Sequence, residues 1–148
     1  MGVVADAMMA GDGDVIGVIP EALVAKEVAH TGLPDLRIVT SMHERKALMS
    51  DLSDGFIAMP GGIGTFEEFF EVLTWAQLGL HRKPCGLLNV AGYYDGLLTF
   101  LDHATGEGFL RAEHRAMILV SDGADDLLER MVAWQPPVVA KWIDRAER

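Results

Sequence analysis

One cysteine, Cys85, stands in 148 residues, which excludes an intramolecular disulfide and any zinc site built on cysteines. Basic residues are scarce as well: 12 Lys and Arg against 22 Asp and Glu, a net charge of −10. So acidic a chain lacks the basic face that nucleic-acid backbones require, and it suits an anionic membrane surface no better. No apolar run reaches the ~18 residues of a spanning helix. The opening MGVVADAMMAGDGD has no basic segment followed by an apolar one. Internal repeats and low-complexity segments are missing too. A soluble, cytoplasmic protein with no membrane or nucleic-acid partner is the expectation. Any anionic substrate must then be held by a small, local set of donors.

Apolar residues are plentiful: half the chain is hydrophobic, enough to bury a core. Nearly continuous apolar runs predict strands at 15–19, 36–40, 55–59, 86–90 and 117–120, of the kind buried on both faces of a parallel sheet. Helical patterns fall between them at 1–10, 42–52, 66–80, 95–107 and 122–132. This alternation predicts an α/β fold, a Rossmann-like three-layer domain with a mostly parallel sheet. One domain is expected over 1–135. Pro136 and Pro137 close its last helix, and 136–148 reads as an appendage anchored by Trp142 and Ile143. The chain opens in a helical pattern, with no strand ahead of it.

The densest signal is MPGGIGTFEE at 59–68, between an apolar strand and a long helix. Three glycines in four positions permit positive φ and close approach of a ligand to the backbone. Successive amides there, aimed by the positive end of a helix, make an anion nest at the carboxyl end of a strand. The turn is neither a P-loop nor a GxGxxG fingerprint. Thr65 and Glu68 also spell T-x-x-E, so Glu68 either completes a capping box or is available for chemistry. Along the helix, Phe66, Phe69, Phe70, Leu73, Gln77 and Leu80 read as the core face. Glu68, Val72 and Trp75 read as a second seam that a partner subunit would cover.

A second helix start, SMHERK at 41–46, pairs Ser41 with Glu44 in another capping box and then places Arg45 and Lys46 in the first two turns. The helix dipole disfavours cations there. In an acidic chain this pair reads either as a solvated surface pair or as an anion grip, for which a guanidinium is well shaped. His43-Glu44 does not extend to HExxH, and His30, His81, His103 and His114 have no ligand spacing, so no metal is expected. Cys85 reads as a small core residue, and the absence of GxSxG disfavours acyl transfer.

Together, PGGIGTFEE at 60–68 and MHERK at 42–46 resemble the LONELY GUY family of cytokinin-activating phosphoribohydrolases. The family motif PGGxGTxxE is matched at Pro60, Gly61, Gly62, Gly64, Thr65 and Glu68. The resemblance continues through VIGVIPEAL, KEVAHTGL, EVLTWAQLGLHRKP, LLNVAGYYDGLL and the EGF at 107–109. It implies hydrolysis of the N-glycosidic bond of an N6-modified adenosine 5′-monophosphate, giving free base and ribose 5-phosphate without a cofactor. The second seam predicts a homodimer through the helix at 66–80. The catalytic pair the resemblance implies is Arg45 and Glu68. The substrate contacts it implies are Glu27, Arg45, Lys46, Gly62, Ile63, Gly64, Thr65, Phe66, Glu67, Glu68 and Thr74. The name lysine decarboxylase, which similar sequences have carried, finds no support, since no lysine stands in a pyridoxal-phosphate context. Relatives usually carry a βαβ portion, ~30 residues or more, ahead of the segment that 1–6 resembles. The alternatives are a nucleotide- or cofactor-binding protein without chemistry, and a truncated, inactive relative.

Overall fold

A computed structural model describes residues 2–24 and 32–137. Glu27 and residues 138–148 of the expected appendage lie outside the described residues. Contacts divide the chain into two compact units, Met1–Ser53 and Asp54–Arg148. Among the described residues, no helix is long and apolar enough to cross a membrane.

The first unit runs α1 (Gly2–Ala10), β1 (Ile16–Pro20), α2 (Glu21–Val24), β2 (Asp35–Val39) and α3 (Met42–Leu52). β1 and β2 pair in parallel, with Ile16 opposite Asp35 and Pro20 opposite Val39. α3 packs on both strands. The expectation of strands buried on both faces does not hold here, since Ile16 is 45% and Ile38 55% exposed.

The second unit runs β3 (Phe56–Ala58), α4 (Ile63–Gln77), β4 (Cys85–Leu88), α5 (Asp95–Gly106), α6 (Ala112–Arg115), β5 (Ile118–Ser121) and α7 (Ala124–Ala133). Its three strands are parallel in the order β3-β4-β5, with Phe56 opposite Cys85 and Cys85 opposite Ile118. Successive residues of a strand face opposite ways. Cys85 and Leu87 enter the core with Phe69, Leu73 and Leu101 from α4 and α5, whereas a Cβ on Gly86 would press on Leu127 of α7. Helices therefore cover both faces, and the three layers expected from the alternation are present in this unit. Burial pushes the Cys85 thiol up to about 12, so it is a core residue and not a nucleophile at neutral pH.

Helix α4 departs from the expected pattern in three respects. It begins at Ile63 with Gly62 as N-cap, and no side chain caps it. Thr65 is therefore already inside the helix, and its amide bonds to the Gly62 carbonyl at 3.0 Å. The Thr65–Glu68 capping box does not form, because glycine itself serves as a cap and starts the helix a turn earlier. The buried stripe is Phe69, Val72, Leu73 and Ala76, the i, i+3, i+4, i+7 face. Val72 thus belongs to the unit's own core, and Leu80, expected in that core, is exposed beyond the helix end. The helix stops at Gln77 because Gly79 turns left-handed, at φ 75°. The Gly79 amide then reaches the Ala76 carbonyl and the Leu80 amide the Trp75 carbonyl, a Schellman ending.

Candidate active site

Each of two strand ends feeds a helix that carries expected site residues. In the first unit Ser41 caps α3, its hydroxyl accepting the Glu44 amide at 3.1 Å. Glu44 reaches back one residue further than a standard box. Its Oε2 accepts the Thr40 hydroxyl at 2.7 Å and the Thr40 amide at 2.8 Å. Those two bonds, the hydroxyl's first, hold the Glu44 carboxyl below the usual carboxylate range. Arg45 lies on the half-buried side of the same turn. Its Nε donates to the Val18 carbonyl of β1 at 3.2 Å, and its Nη1 lies 3.7 Å from Met42 Sδ. The guanidinium is thereby tied to the sheet, with Lys46 beside it in sequence.

In the second unit the chain leaves β3 through Met59-Pro60-Gly61-Gly62 and enters α4. The Gly62 carbonyl takes the amides of Thr65 and Phe66 at 3.0 and 3.2 Å, closing the first turn. Among the described residues, no backbone carbonyl or capping side chain takes the amides of Gly62, Ile63 or Gly64. No described atom beyond their own neighbours lies within 4 Å of where a Cβ on Gly62 or Gly64 would stand. None of the glycines at 61, 62 and 64 has positive φ, so conformational freedom is not their use here. Gly61 makes room for Thr65, whose Oγ1 a Cβ would strike. Gly62 and Gly64 leave the helix mouth uncovered. Uncovered amides at the positive end of a 15-residue helix form an anion-binding geometry.

Two tyrosines that sequence reasoning missed hold this turn. Tyr93 donates its hydroxyl to the Gly61 carbonyl and Tyr94 donates to the Met59 carbonyl, each at 2.6 Å. Tyr94 packs edge-on against Phe66 and Tyr93, and burial raises its phenol above the usual range, so it stays a donor. Both follow β4, which lies beside β3 in register, so the two carboxyl ends are neighbours. The signal was the run Tyr93-Tyr94 itself, but a pairing across more than 30 residues needs the strand order to be seen.

Gly62, Ile63, Gly64, Thr65, Phe66, Glu67 and Glu68 thus share the first two turns of α4. Phe66 turns toward the core, Glu67 is exposed and Glu68 is half-buried. Thr74 is not with them. It stands nine residues past Thr65, about 14 Å along the helix, and its hydroxyl donates to the Phe70 carbonyl at 2.7 Å. At the far end of α4, the Lys83 amide donates to His81 Nδ1 at 3.1 Å, leaving Nε2 to donate to the Val72 carbonyl at 2.8 Å. Burial holds the His81 ring below its usual range, in keeping with this neutral tautomer.

The chain is similar in sequence to several curated proteins. A probable cytokinin riboside 5′-monophosphate phosphoribohydrolase of Oryza sativa subsp. japonica is 51% identical over 136 residues, 92% of this chain and 60% of its own length. A cytokinin riboside 5′-monophosphate phosphoribohydrolase of Rhodococcoides fascians is 54% identical over 121 residues, 81% of this chain and 61% of its own. One from Arabidopsis thaliana is 47% identical over 136 residues, 92% and 63%. The chain therefore spans about three-fifths of the length of these curated relatives. The pattern of a family described as "Possible lysine decarboxylase" matches residues 1–131, and the chain belongs to that family, the LONELY GUY family.

Proposed function

We propose that this chain carries the chemistry of a hydrolase acting on N-glycosyl bonds, a nucleoside 5′-monophosphate phosphoribohydrolase. Its substrate is an adenosine 5′-monophosphate, N6-modified in the manner of a cytokinin riboside monophosphate. Its products are the free base and ribose 5-phosphate. The observation that carries this reading is the mouth of α4. The amides of Gly62, Ile63 and Gly64 suit a phosphate, and Glu68 follows on the same helix outside any cap. Cleavage of a glycosidic bond passes through an oxocarbenium-like state, which a carboxylate stabilises or supplies with an oriented water. Glu68 takes that role. Arg45 grips phosphate or promotes departure of the base, and Lys46 adds positive charge. Glu27 and Thr74 enter as substrate contacts through the family resemblance.

The reading includes a cytoplasmic homodimer assembled through α4, which carries the exposed Thr74 and is followed directly by the 69% exposed Leu78. Light scattering showing a dimer that Leu78→Asp splits would support the assembly; a monomer at micromolar concentration removes it. The test of the chemistry is incubation with AMP and with isopentenyladenosine monophosphate, followed by chromatography. Free base and ribose 5-phosphate in equal amounts are expected. Binding of nucleotide without any release would leave a binding protein in place of an enzyme.

A further inference from the structure

We infer that Tyr93 and Tyr94 are positioning residues for the phosphate-binding turn, Tyr93 by aiming the Gly62 amide and Tyr94 by fixing the path of the chain into it. The inference rests on the proposed function in one respect, that the turn receives the substrate's phosphate. A trans peptide is planar, so a carbonyl and the following N–H share one plane and point opposite ways. When Tyr93 holds the Gly61 carbonyl at 2.6 Å, it also fixes the direction of the Gly62 N–H. The next plane is fixed in the same manner, because the Gly62 carbonyl is held by the amides of Thr65 and Phe66, which orients the Ile63 N–H. The Met59 carbonyl is held by Tyr94, but the nitrogen of that plane belongs to Pro60 and bears no hydrogen. That bond therefore sets where the turn starts and aims no donor.

Without these bonds, adjacent glycines at 61 and 62 would range over much of φ/ψ space, and ordering them would weaken every anion bound. The tyrosines are themselves held. The Asn89 side chain accepts the Tyr94 amide at 2.6 Å and donates to Asp95 at 2.7 Å, while the Asn89 amide bonds to the Ser121 carbonyl of β5 at 2.7 Å. Ala91 and Gly92 both turn left-handed, at φ 51° and 73°, which folds the chain back so that two consecutive tyrosines emerge beside the β3 turn. A Cβ on Gly92 would come within 2.6 Å of Asp95 Oδ2 and break that arrangement. The two hydroxyls differ in setting, Tyr94 being 1% and Tyr93 50% exposed. Water can replace the Tyr93 hydroxyl on the Gly61 carbonyl, but a mobile water does not aim the plane.

The experiment measures the binding of ribose 5-phosphate, AMP and adenosine by calorimetry, with thermal melting alongside, in the wild-type chain and in Tyr93→Phe. Expected is a loss of about 5- to 10-fold in affinity for ribose 5-phosphate and AMP, with adenosine binding and the melting temperature unchanged. In turnover the same variant raises KM and leaves kcat, because the lost interaction is common to ground and transition states. Tyr94→Phe is expected to lower the melting temperature as well; should it fail to fold, Tyr93→Phe alone carries the test. Wild-type affinity for ribose 5-phosphate in Tyr93→Phe overturns the inference, as does an equal loss for adenosine. A wild-type chain that binds ribose 5-phosphate, loses that binding in Tyr93→Phe and releases no base from any nucleotide keeps the inference and removes the hydrolase reading.

Discussion

Two helix starts in this molecule follow parallel strands and carry the same four-residue signature, yet they are built for opposite ends. At α3 the residues Ser41, Glu44 and Thr40 bind one another, and the helix mouth is closed by its own side chains. At α4 the cap is Gly62, no side chain among the described residues caps the helix, and the bonds that organise the turn go to carbonyls from two tyrosines. The first start stabilises the fold. The second leaves its donors facing outward and has its stability supplied from behind. A helix N-terminus thus becomes a candidate site when its capping groups are withdrawn and its backbone is held by other means.

The sharpest way to break the comparison is to change the fourth residue of each signature alike. Glu68→Gln is expected to lose ~10²-fold or more in turnover, at least ~2.7 kcal/mol of transition-state stabilisation, with nucleotide affinity kept. Glu44→Gln should leave turnover within about two-fold, because an amide oxygen still accepts from Thr40. Rates of base release at saturating nucleotide decide it; near-normal turnover in Glu68→Gln would make that carboxylate structural. The next test turns the second start into a likeness of the first. Gly62→Asp places a carboxylate over the amides, where the present glycine leaves open space. Affinity for ribose 5-phosphate should fall about tenfold or more through like-charge repulsion. Stability should hold or rise by a few tenths of a kcal/mol, since aspartate caps at least as well as glycine.

A smaller effect is expected from the reverse change. Ser41→Ala removes the cap of α3 and should lower the stability of the first unit by ~1 kcal/mol. Hydrogen exchange of the α3 amides would show it, and an unchanged protection pattern would deny the cap its role. The smallest concerns pH at the far end of α4. His81 is held below its ordinary value of 6.5 by burial, so the folded chain takes up this proton less readily than the unfolded one. Its contribution is complete above pH 6.5 and declines as pH falls from there toward the folded value. Glu44, held below its ordinary 4.5 by Thr40, contributes fully above 4.5 and loses its contribution only at lower pH, through its folded value. From pH 7.5 to 5.5, protection relative to the intrinsic exchange rate at each pH should therefore fall at the end of α4 and not at the start of α3. His81→Gln should abolish that difference.

What could be read in the residues follows how local each feature is. The bounds 42–52 of α3 are as expected because its cap, box and last apolar residues lie within one short stretch. The parallel strands and the buried Cys85 were legible from runs of apolar residues. The start of α4 was not, because T-x-x-E describes a possible cap and glycine is an equally permitted one, and only the fold decides between them. The core face was misjudged by the breadth of its stripe. Seven apolar or aromatic residues between 63 and 75 fit more than one face, and packing on β3 and β4 selects the one with Val72 and Ala76. The tyrosine clamp was hidden for a different reason. It joins residues 32 and 35 apart, through the lateral order of strands, and no local pattern encodes that.

The solitary thiol has a practical consequence. Cys85 opens the middle strand of the β3-β4-β5 sheet, is 1% exposed, and has no counterpart elsewhere in the chain. A thiol reagent can react with it only when that sheet opens, so the labelling rate under native conditions, divided by the rate in denaturant, gives the opening equilibrium of the second unit alone. The first unit contains no reactive group and is silent in the same experiment. One residue thus serves as an internal gauge that separates the stabilities of two units that unfolding by heat would report together. Saturating ribose 5-phosphate should slow the labelling by the factor 1 + [L]/Kd, which turns a buried sulfur into a meter of occupancy at a turn it does not touch.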